Sequence, residues 1–372
     1  MVIRPAAKLR PMTKRVEVLV GTKKGAFILE SDEARRDWRL RGPFCQNWPT
    51  HDFIRAADGT LYAGGGNNWY GPSVWKSVDN GESWTQSSAG LTYGEGAEDP
   101  KITTIWKLAD SGANGTVFAG VEPAGLFRSD DHGQTWAHVA GLREHPSRPD
   151  WTPGNGGLCL HSIVTHPTDA NRMWVAASAV GTFETTDGGR TWETRNKGVR
   201  ADFYPGPAPD FGQCVHKLRL HPDQPEWLYQ QNHCGVYRSD DGGRQWTEIT
   251  NELPSEFGFP MVIHPHDPKT IYVIPHSGPG EGRQMIGGHA AVWRSRDRGD
   301  SWQRLSDGLP RDDAFVTVLR ENMAIDSLAQ PGVYFGTSTG QVFGSADEGE
   351  HWSLLADYLP PIWSVEAAVV ER

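Results

Sequence analysis

Short runs of alternating apolar and polar residues recur along this chain in groups of three. Near the middle of the chain, the runs HSIVTH, RMWVAAS and GTFETT begin at His161, Arg172 and Gly181 and are separated by short polar breaks. Alternation of this kind, rich in β-branched and aromatic residues, predicts half-buried β-strands. The same order returns in HKLRLH, EWLYQQN and GVYRS, and again in FVTVL, GVYFGTS and QVFGS near the C-terminus. The pattern therefore predicts a repeated antiparallel unit.

A polar motif of the form Ser/Thr-x-Asp-x-Gly-x-x-Trp closes each unit, and its six copies begin 50 to 56 residues apart. Asp and Ser side chains bond the backbone of tight turns, Gly accepts a positive φ, and a Trp that opens a new strand buries a large apolar surface. Each copy is thus predicted to be the hairpin between the two outer strands of a four-stranded sheet. The copies are SVDNGESW from Ser77, SDDHGQTW from Ser129, TTDGGRTW from Thr185, SDDGGRQW from Ser239, SRDRGDSW from Ser295 and SADEGEHW from Ser345.

The two ends of the chain are predicted to supply one further unit. Residues 16–38 contain two strands and a closing Trp but lack a first strand, and residues 364–369 form an extra strand with nothing after it. Pairing residues 365–369 with residues 16–20 would complete this unit and hide two sheet edges. Four-stranded repeats of this length are typical of propeller blades. The predicted fold is all-β, a seven-bladed β-propeller closed by its C-terminal strand.

The six motifs resemble the Asp-box of the BNR repeat proteins, a family that includes bacterial sialidases, xyloglucanases, sortilin and a photosystem II assembly factor. The resemblance covers nearly the whole chain and implies the propeller fold. Segments such as CLHSIVTHP, GQCVHKLRLHP and QNHCGVYRSDDGG look like a bacterial subfamily labelled sialidase-like or glycosyl hydrolase. The Phe/Tyr-Arg-Ile/Leu-Pro motif of sialidases is missing from this sequence. Sialidase activity is therefore not expected, and the fold alone does not assign another one.

Composition narrows the classes of partner. The formal net charge of -10 argues against nucleic acid or an anionic membrane as a partner. No apolar run reaches the length of a membrane-spanning helix, and the first 15 residues lack the apolar centre of a secretory signal. Four cysteines in 372 residues do not make a disulfide framework. We expect a cytoplasmic protein with a disordered lead over residues 1–15 and a single propeller domain over residues 16–372.

Three histidines occupy one repeated position. His161 and His216 begin the aligned runs HSIVTHP and HKLRLHP, and His51 takes the same place in THDFIRA. The innermost strands of a propeller line its central channel, so these imidazoles are predicted to meet at the channel mouth opposite the Asp-boxes. Alignment of the connections between second and third strands brings three further residues to this face: Glu122, His233 and His276.

The cysteines strengthen this cluster. Cys159 and Cys214 lie two residues before His161 and His216, which places each pair on one face of a strand. Imidazole and thiolate are ligands of divalent transition metals such as zinc, iron or copper. The alternative is a metal-free polar pocket in which buried cysteines act as small apolar residues. The candidate metal ligands are His51, His161, His216, His233 and His276, with Cys234 beside them in the chain.

Long loops on the same face carry aromatic and basic residues. Such side chains around a scaffolded cavity are typical of sites for small polar molecules. The candidate substrate-binding residues are Trp69, Tyr70, Arg148, Trp151, Tyr204 and Arg283. A two-carboxylate glycosidase is an open alternative, for which Asp99, Glu122, Asp150, Asp202 and Asp210 could supply an acid and a base.

The functional expectation follows from this cluster. We expect an enzyme or binding protein for a small polar molecule at the channel mouth, with metal-assisted hydrolysis as the reaction class. Glu122, His161 and His216 are the candidate catalytic residues, with Glu122 as the base that would act on a metal-activated water. The alternatives are a non-catalytic assembly or interaction scaffold and a glycosidase without sialidase-type residues.

Overall fold

The computed structural model describes residues 14–94, 96, 99–112, 115–204 and 209–371. Within these ranges the chain forms seven four-stranded antiparallel sheets. Residues 1–13 of the expected disordered lead lie outside the described residues. Lys14 and Arg15 already belong to the first strand.

The sheets are the blades of a seven-bladed β-propeller, and six of them are consecutive in sequence. Blade one combines both ends of the chain. Its strands are β1 (Lys14–Thr22), β2 (Gly25–Asp32), β3 (Arg39–Phe44) and β28 (Ile362–Glu371). Blades two to four contain β4 (Thr50–Arg55), β5 (Leu61–Asn67), β6 (Gly71–Ser77), β7 (Thr85–Ser87), β8 (Thr104–Asp110), β9 (Val117–Glu122), β10 (Gly125–Ser129), β11 (Ala137–His138), β12 (Leu160–Thr165), β13 (Met173–Ala177), β14 (Gly181–Thr185) and β15 (Glu193–Thr194).

Blades five to seven continue this order, with the first strand innermost and the fourth outermost. Their strands are β16 (Val215–His221), β17 (Gln224–Asn232), β18 (Gly235–Ser239), β19 (Thr247–Glu248), β20 (Gly258–Ile263), β21 (Ile271–Pro275), β22 (Val292–Ser295), β23 (Gln303–Leu305), β24 (Met323–Ile325), β25 (Val333–Gly336), β26 (Val342–Ser345) and β27 (Ser353–Ala356). The described helices are α1 (Ala140–Arg143) and short 3-10 turns at Cys45–Asn47, Arg148–Asp150, Pro279–Glu281 and Ile286–Gly288. In the part of the chain that is described, no helix has the length and apolarity needed to cross a membrane.

The predicted closure of the ring is confirmed. Strand β28 pairs antiparallel with β1, with Val369 opposite Val16 and Val365 opposite Val20. The closing strand is longer than expected, because it begins at Ile362 and ends at Glu371. The two ends of the chain therefore share one blade.

The Asp-boxes form the predicted hairpins between third and fourth strands. In the box from Thr185, the Thr185 hydroxyl donates to Asp187 Oδ1 at 2.8 Å, and the Gly189 and Thr191 N–H groups donate to Thr185 Oγ1 and Asp187 Oδ1 at 2.9 and 3.0 Å. Gly189 has a φ of +92°, a conformation that a side chain would strain. Trp192 then packs in the core between blades three and four. The motif is thus explained by turn structure and packing.

One predicted strand is wrong. The run FVTVL was assigned to the innermost strand of blade seven, but the strand in that place is β24, Met323–Ile325. The earlier segment packs on blade six instead. Val318 lies in the core shared by these blades, its N–H donates to His276 Nε2 at 3.0 Å, and the Val316 carbonyl accepts from the Met285 N–H at 2.9 Å. Val318 therefore fills a gap between blades without pairing into the sheet, whereas Phe315 is exposed.

The hydrophobic cores lie between neighbouring blades. One core, for example, joins Val164 and Trp174 of blade four to Leu218, Tyr237 and Trp246 of blade five. Both faces of each sheet are covered in this way, and the side chains at the channel mouth described below lie outside these cores. The Asp-boxes lie at one end of the channel, and the innermost strands begin at the other.

Candidate functional site

A β-bulge marks the start of the innermost strand in several blades. In blades two to five, one residue of the innermost strand lies between two pairs of the ladder and has no partner in the second strand. These residues are His51, Trp106, His161 and His216. A bulge changes the direction of the extra side chain, and each of these bulges lies at the mouth of the channel. Phe259 and Trp363 lie in the corresponding irregularities of blades six and one, and Arg320 precedes the inner strand of blade seven. The seven residues are named the mouth ring: His51, Trp106, His161, His216, Phe259, Arg320 and Trp363.

Aromatic contacts connect the members of the mouth ring. The His51 ring stacks on Trp363 with centroids 4.1 Å apart and lies 5.1 Å from Trp106. On the other side, His216 lies 4.7 Å from Phe259. The Arg320 guanidinium spans the middle, 5.6 Å from the Trp106 centroid and 5.7 Å from that of Phe259. These contacts are close enough for cation–π attraction, so Arg320 lies across the channel between blades three and six.

A buried ionic layer lies directly beneath the mouth ring. Each of its four members follows a ring residue in sequence: Asp52, Lys107, Lys217 and Glu321. Lys107 Nζ lies 3.0 Å from Asp52 Oδ2 and 3.2 Å from Glu321 Oε2, and Lys217 Nζ lies 2.5 Å from the same oxygen. The layer ties together blades two, three, five and seven across the channel axis.

A pocket of about 410 Å³ opens at the mouth on the side of blades four to six. It lies on the face opposite the Asp-boxes, since its walls come from the starts of inner strands and from connections between second and third strands. Its lining residues are Thr152, Pro153, Gly154, Asn155, Gly156, Ser178, Ala179, Phe203, Tyr204, Cys214, His216, His233, Phe257, Phe259, Pro279, Arg283 and Arg320. This cavity is called the mouth pocket.

The mouth pocket is positively charged. Arg283 and Arg320 both line it, and none of its described lining residues is Asp or Glu. Burial lowers the pKa of His216 well below its usual value, and burial with nearby Arg283 lowers the pKa of His233. Both imidazoles are therefore neutral near pH 7, and the charge of the pocket is that of its two guanidinium groups.

Four of the residues predicted from sequence come together in this pocket: Tyr204, His216, His233 and Arg283. Cys214 joins them, with its Sγ 3.5 Å from His216 Nε2. His216 is fixed from behind, because its Nδ1 donates to the Gly258 carbonyl at 2.6 Å. The ring of His233 contacts Phe203 and Phe257 at centroid distances of 5.6 and 5.1 Å.

The other predicted histidines do not reach the pocket. His161 is fully buried and its Nδ1 lies 3.1 Å from Ser162 Oγ. His51 is held between two tryptophans, and burial lowers its pKa to about 3. His276 is fully buried, and its Nε2 accepts the Val318 N–H. The prediction that all these imidazoles share one cavity thus separates into a pocket pair, His216 and His233, and three buried rings.

Glu122 is hydrogen-bonded to Trp106 of the mouth ring. Its Oε2 accepts a hydrogen bond of 2.8 Å from Trp106 Nε1, and it does not line the mouth pocket. A carboxylate in this contact orients the indole beneath Arg320. Glu122 thus lies beside Trp106 and outside the mouth pocket, and its role as a base stays a prediction.

Several predicted substrate-binding residues lie apart from the pocket. Trp151 is 7% exposed, packs on Phe183 at 5.4 Å, and donates from Nε1 to Ser147 at 2.9 Å. Arg148 stacks on Trp151, with its guanidinium 5.0 Å from the ring. Trp69 and Tyr70 are exposed on blade two, where Tyr70 contacts Trp48 at 4.6 Å. These four side chains lie outside the mouth pocket, although the loop that follows Trp151 contributes residues 152–156 to its lining.

The remaining cysteines are buried and free. Cys159 is fully buried, and burial raises its pKa to about 12. Cys234 is nearly buried, and its carbonyl accepts from the Tyr237 hydroxyl. Burial raises the pKa of Cys234 as well. Of the cysteines proposed for the site, Cys214 is the one that lines the mouth pocket.

Sequence reasoning missed Arg320, Trp106, Phe259 and the ionic layer. A signal for part of this was present, because Trp106-Lys107-Leu108 matches His216-Lys217-Leu218 in position. That alignment would have placed both lysines in the channel. Arg320 had no comparable signal, since the inner strand of blade seven was assigned to the wrong segment.

The comparisons with known proteins agree with this architecture. The family model described as BNR/Asp-box repeat matches residues 127–138, which span the hairpin between β10 and β11. A solved structure of YCF48 bound to D1 peptide covers 94% of this chain and 86% of that chain, with 14% identity and a TM-score of 0.55. At this identity the likeness concerns the fold alone. The chain is a seven-bladed β-propeller, and the BNR/Asp-box match lies in its third blade.

Curated relatives include two xyloglucanases. A probable oligoxyloglucan-reducing end-specific xyloglucanase of Neosartorya fischeri is 25% identical over 233 residues, which cover 50% of this chain and 28% of that protein. A xyloglucanase of a Paenibacillus species is 24% identical over 296 residues, covering 72% of this chain and 26% of that protein. The matched part of the chain thus spans about a quarter of the length of each relative.

Proposed function

We propose that the protein binds a small organic anion in the mouth pocket, with Arg320 and Arg283 holding its anionic group. The observation that carries this proposal is that the Arg320 guanidinium has no hydrogen-bonding partner among the described residues. Its guanidinium makes no hydrogen bond or ion pair with any described residue, and its Nε is buried without a partner. A guanidinium carries five N–H donors, and buried donors without partners are costly. A carboxylate or phosphate group in the pocket would accept from them in a bidentate manner.

The second arginine supports the same ligand class. Arg283 lines the pocket, and no hydrogen bond or ion pair from its guanidinium to the described part of the chain is seen. Most of the other arginines in the described part of the chain form ion pairs, as Arg172 does with Glu184 and Glu226. Two unpaired guanidinium groups facing one cavity without a carboxylate favour a negatively charged ligand.

The walls of the pocket suggest the rest of the ligand. Four aromatic residues line the cavity: Phe203, Tyr204, Phe257 and Phe259. Aromatic walls with a few convergent polar groups are typical of small-molecule sites, and a volume of about 410 Å³ suits a small molecule. We therefore propose an anion with a compact apolar or planar body.

Glycoside hydrolysis of the two-carboxylate kind receives no support from this pocket. That mechanism needs an acid and a base on either side of the scissile bond. The described lining residues of the mouth pocket include neither Asp nor Glu, and nearby Glu122 is bonded to Trp106. An activity like that of the xyloglucanase relatives would need a different surface of this chain.

Isothermal titration with matched probes tests the proposal. Benzoate and phenyl phosphate carry the charge and a planar body, and benzamide is the neutral counterpart of benzoate. We expect both anions to bind and benzamide to bind at least tenfold more weakly. Arg320→Gln should weaken benzoate binding roughly ten- to a hundredfold, since a charged hydrogen bond contributes about 1.5–3 kcal/mol.

The matched control is Arg190→Gln, which removes one exposed positive charge on the Asp-box face. It should leave benzoate affinity unchanged. Equal binding of benzoate and benzamide, or unchanged benzoate affinity in Arg320→Gln, would overturn the anion-binding proposal.

A further inference from the structure

Three side chains of blade five form a compact group in the mouth pocket. Cys214 Sγ and one ring nitrogen each of His216 and His233 all lie within 4.8 Å of one another. Cys214 directly precedes β16, His216 is the bulged residue of that strand, and His233 lies in the turn between β17 and β18. One blade therefore positions all three groups.

The sulfur–nitrogen distance between Cys214 and His216 matches one edge of a tetrahedral metal site. The Cys214 Sγ to His216 Nε2 distance is 3.5 Å. With Zn–S near 2.3 Å and Zn–N near 2.0–2.1 Å, the sulfur–nitrogen edge of a zinc tetrahedron is about 3.5 Å. A metal ion could therefore join these two atoms with little movement of either residue.

The orientation of His216 points to the same use. The Gly258 carbonyl can only accept a hydrogen bond, so Nδ1 of His216 carries the proton. The lone pair of Nε2 is then left facing Cys214. A backbone carbonyl that fixes the second ring nitrogen in this way is the usual support of a metal-ligating histidine.

His233 is available as the third ligand. Its ring nitrogens make no hydrogen bond to any described residue, and its ring is held by aromatic contacts with Phe203 and Phe257. A simple thiol–imidazole hydrogen bond would explain the contact between Cys214 and His216. It would not explain a second imidazole whose ring nitrogen lies within 4.8 Å of both of these atoms. His161, at the same position one blade earlier, does not join the group.

We propose that Cys214, His216 and His233 bind a zinc-class divalent metal ion, with the fourth coordination position open to the mouth pocket. One thiolate and two imidazoles suit Zn²⁺ and Co²⁺ in both charge and softness. Three protein ligands with an open position are typical of catalytic sites, where the metal activates a water or polarises a bound group. The site does not rest on the proposed anion binding, although an anion held by Arg320 would lie beside the open position.

Titration with Co²⁺ tests the site. Metal-free protein is prepared by chelation under reducing conditions, and Co²⁺ is added while the visible and near-ultraviolet absorption is recorded. We expect one Co²⁺ per chain, with d–d bands of tetrahedral strength and a thiolate charge-transfer band. Addition of Zn²⁺ should remove both signals by competition.

Three variants assign the ligands. Cys214→Ser should abolish the charge-transfer band, and His233→Ala should lower Co²⁺ affinity at least tenfold. Cys234→Ser is the matched control, because this thiol is adjacent to His233 in sequence but outside the group, and its titration should equal that of the parent protein. Melting curves of each variant establish that the fold is kept.

Co²⁺ binding without a thiolate band, or a band that persists in Cys214→Ser, would overturn the proposal. The benzoate titration has a separate readout. If the parent protein binds Co²⁺ but not benzoate, the proposed function alone is rejected. If it binds benzoate but not Co²⁺, the metal site alone is rejected.

Discussion

Lys217 of blade five forms an ion pair with Glu321 of blade seven across the channel, with Nζ 2.5 Å from Oε2. The same oxygen lies 3.2 Å from Lys107 Nζ, which also binds Asp52 at 3.0 Å. All four side chains are at most 5% exposed. Buried charges are tolerated where each has a partner. Here both pairs to Glu321 join blades that are not neighbours in the ring, whereas the pair of Lys107 with Asp52 joins the neighbouring blades three and two.

Glu321→Gln should strongly destabilise the protein. The change leaves Lys217 without an ionic partner in the channel, and loss of one member of a buried pair costs roughly 3–5 kcal/mol. Urea unfolding measures the effect. Glu82→Gln is the control, because the Glu82 side chain is 80% exposed and lies 3.6 Å from Arg41. Equal free energies of unfolding for Glu321→Gln and the control would show that the layer does not stabilise the ring.

The pH dependence of stability should change in Lys217→Met. Burial, together with nearby Arg219 and Lys107, lowers the pKa of Lys217 despite its pair with Glu321. In the unfolded chain a lysine keeps its proton to about pH 10.4, so the unfolded state binds more protons and stability rises with pH between the two pKa values. Removal of Lys217 should make this slope smaller in urea unfolding measured at increasing alkaline pH. Exposed Lys24→Met should keep the parent slope, and a parent slope in Lys217→Met would contradict the assignment.

Local patterns predicted most of the fold because turn chemistry and strand alternation act over a few residues. The register of the closing strand, with Val16 opposite Val369, follows from keeping apolar residues on the buried faces. The error at FVTVL has the opposite cause. An apolar run predicts a strand whether it pairs with a neighbouring strand or fills a gap between blades. The contact of Val318 with His276, which holds this run in place, could not be predicted from the sequence.

The site was predictable only in part for a related reason. His216 and His233 were found because their repeated positions and short motifs fix where they lie on the propeller. Whether an imidazole faces the pocket depends on its neighbours in other blades, such as Trp363 against His51 or the Val318 N–H against His276. The contacts of Arg320 likewise depend on Trp106 and Phe259, which are distant in sequence.

Deletion of the closing strand should prevent formation of a stable ring. A chain that ends at Leu359 loses β28 and exposes the edge of β1 that β28 covers. We expect an unfolded or aggregated product by size-exclusion chromatography. Deletion of only the last two residues is the control, and its elution profile should be identical to that of the parent. A truncated chain with the parent profile and melting temperature would disprove a structural role for closure.

The Asp-box residues should affect stability without affecting ligand binding. Trp192→Ala removes a buried aromatic side chain and should cost roughly 3–5 kcal/mol. Asp187→Ala should cost less, because it loses turn hydrogen bonds at an exposed site. Unfolding in urea gives the order of the two effects. Benzoate affinity of the folded fraction should equal that of the parent in both variants, since the boxes lie at the opposite end of the channel. Loss of binding in stable Asp187→Ala would assign a functional role to the box.

His276 and His233 should separate stability from binding. His276→Ala leaves the buried Val318 N–H without its acceptor, and an unsatisfied buried donor costs about 1–3 kcal/mol. His233→Ala removes a half-buried ring without hydrogen bonds to the described residues, so its unfolding free energy should stay close to that of the parent. Co²⁺ titration should give the reverse order, with parent affinity in His276→Ala and weakened affinity in His233→Ala. Weakened Co²⁺ binding in a fully stable His276→Ala would instead return His276 to the set of ligands expected from the sequence.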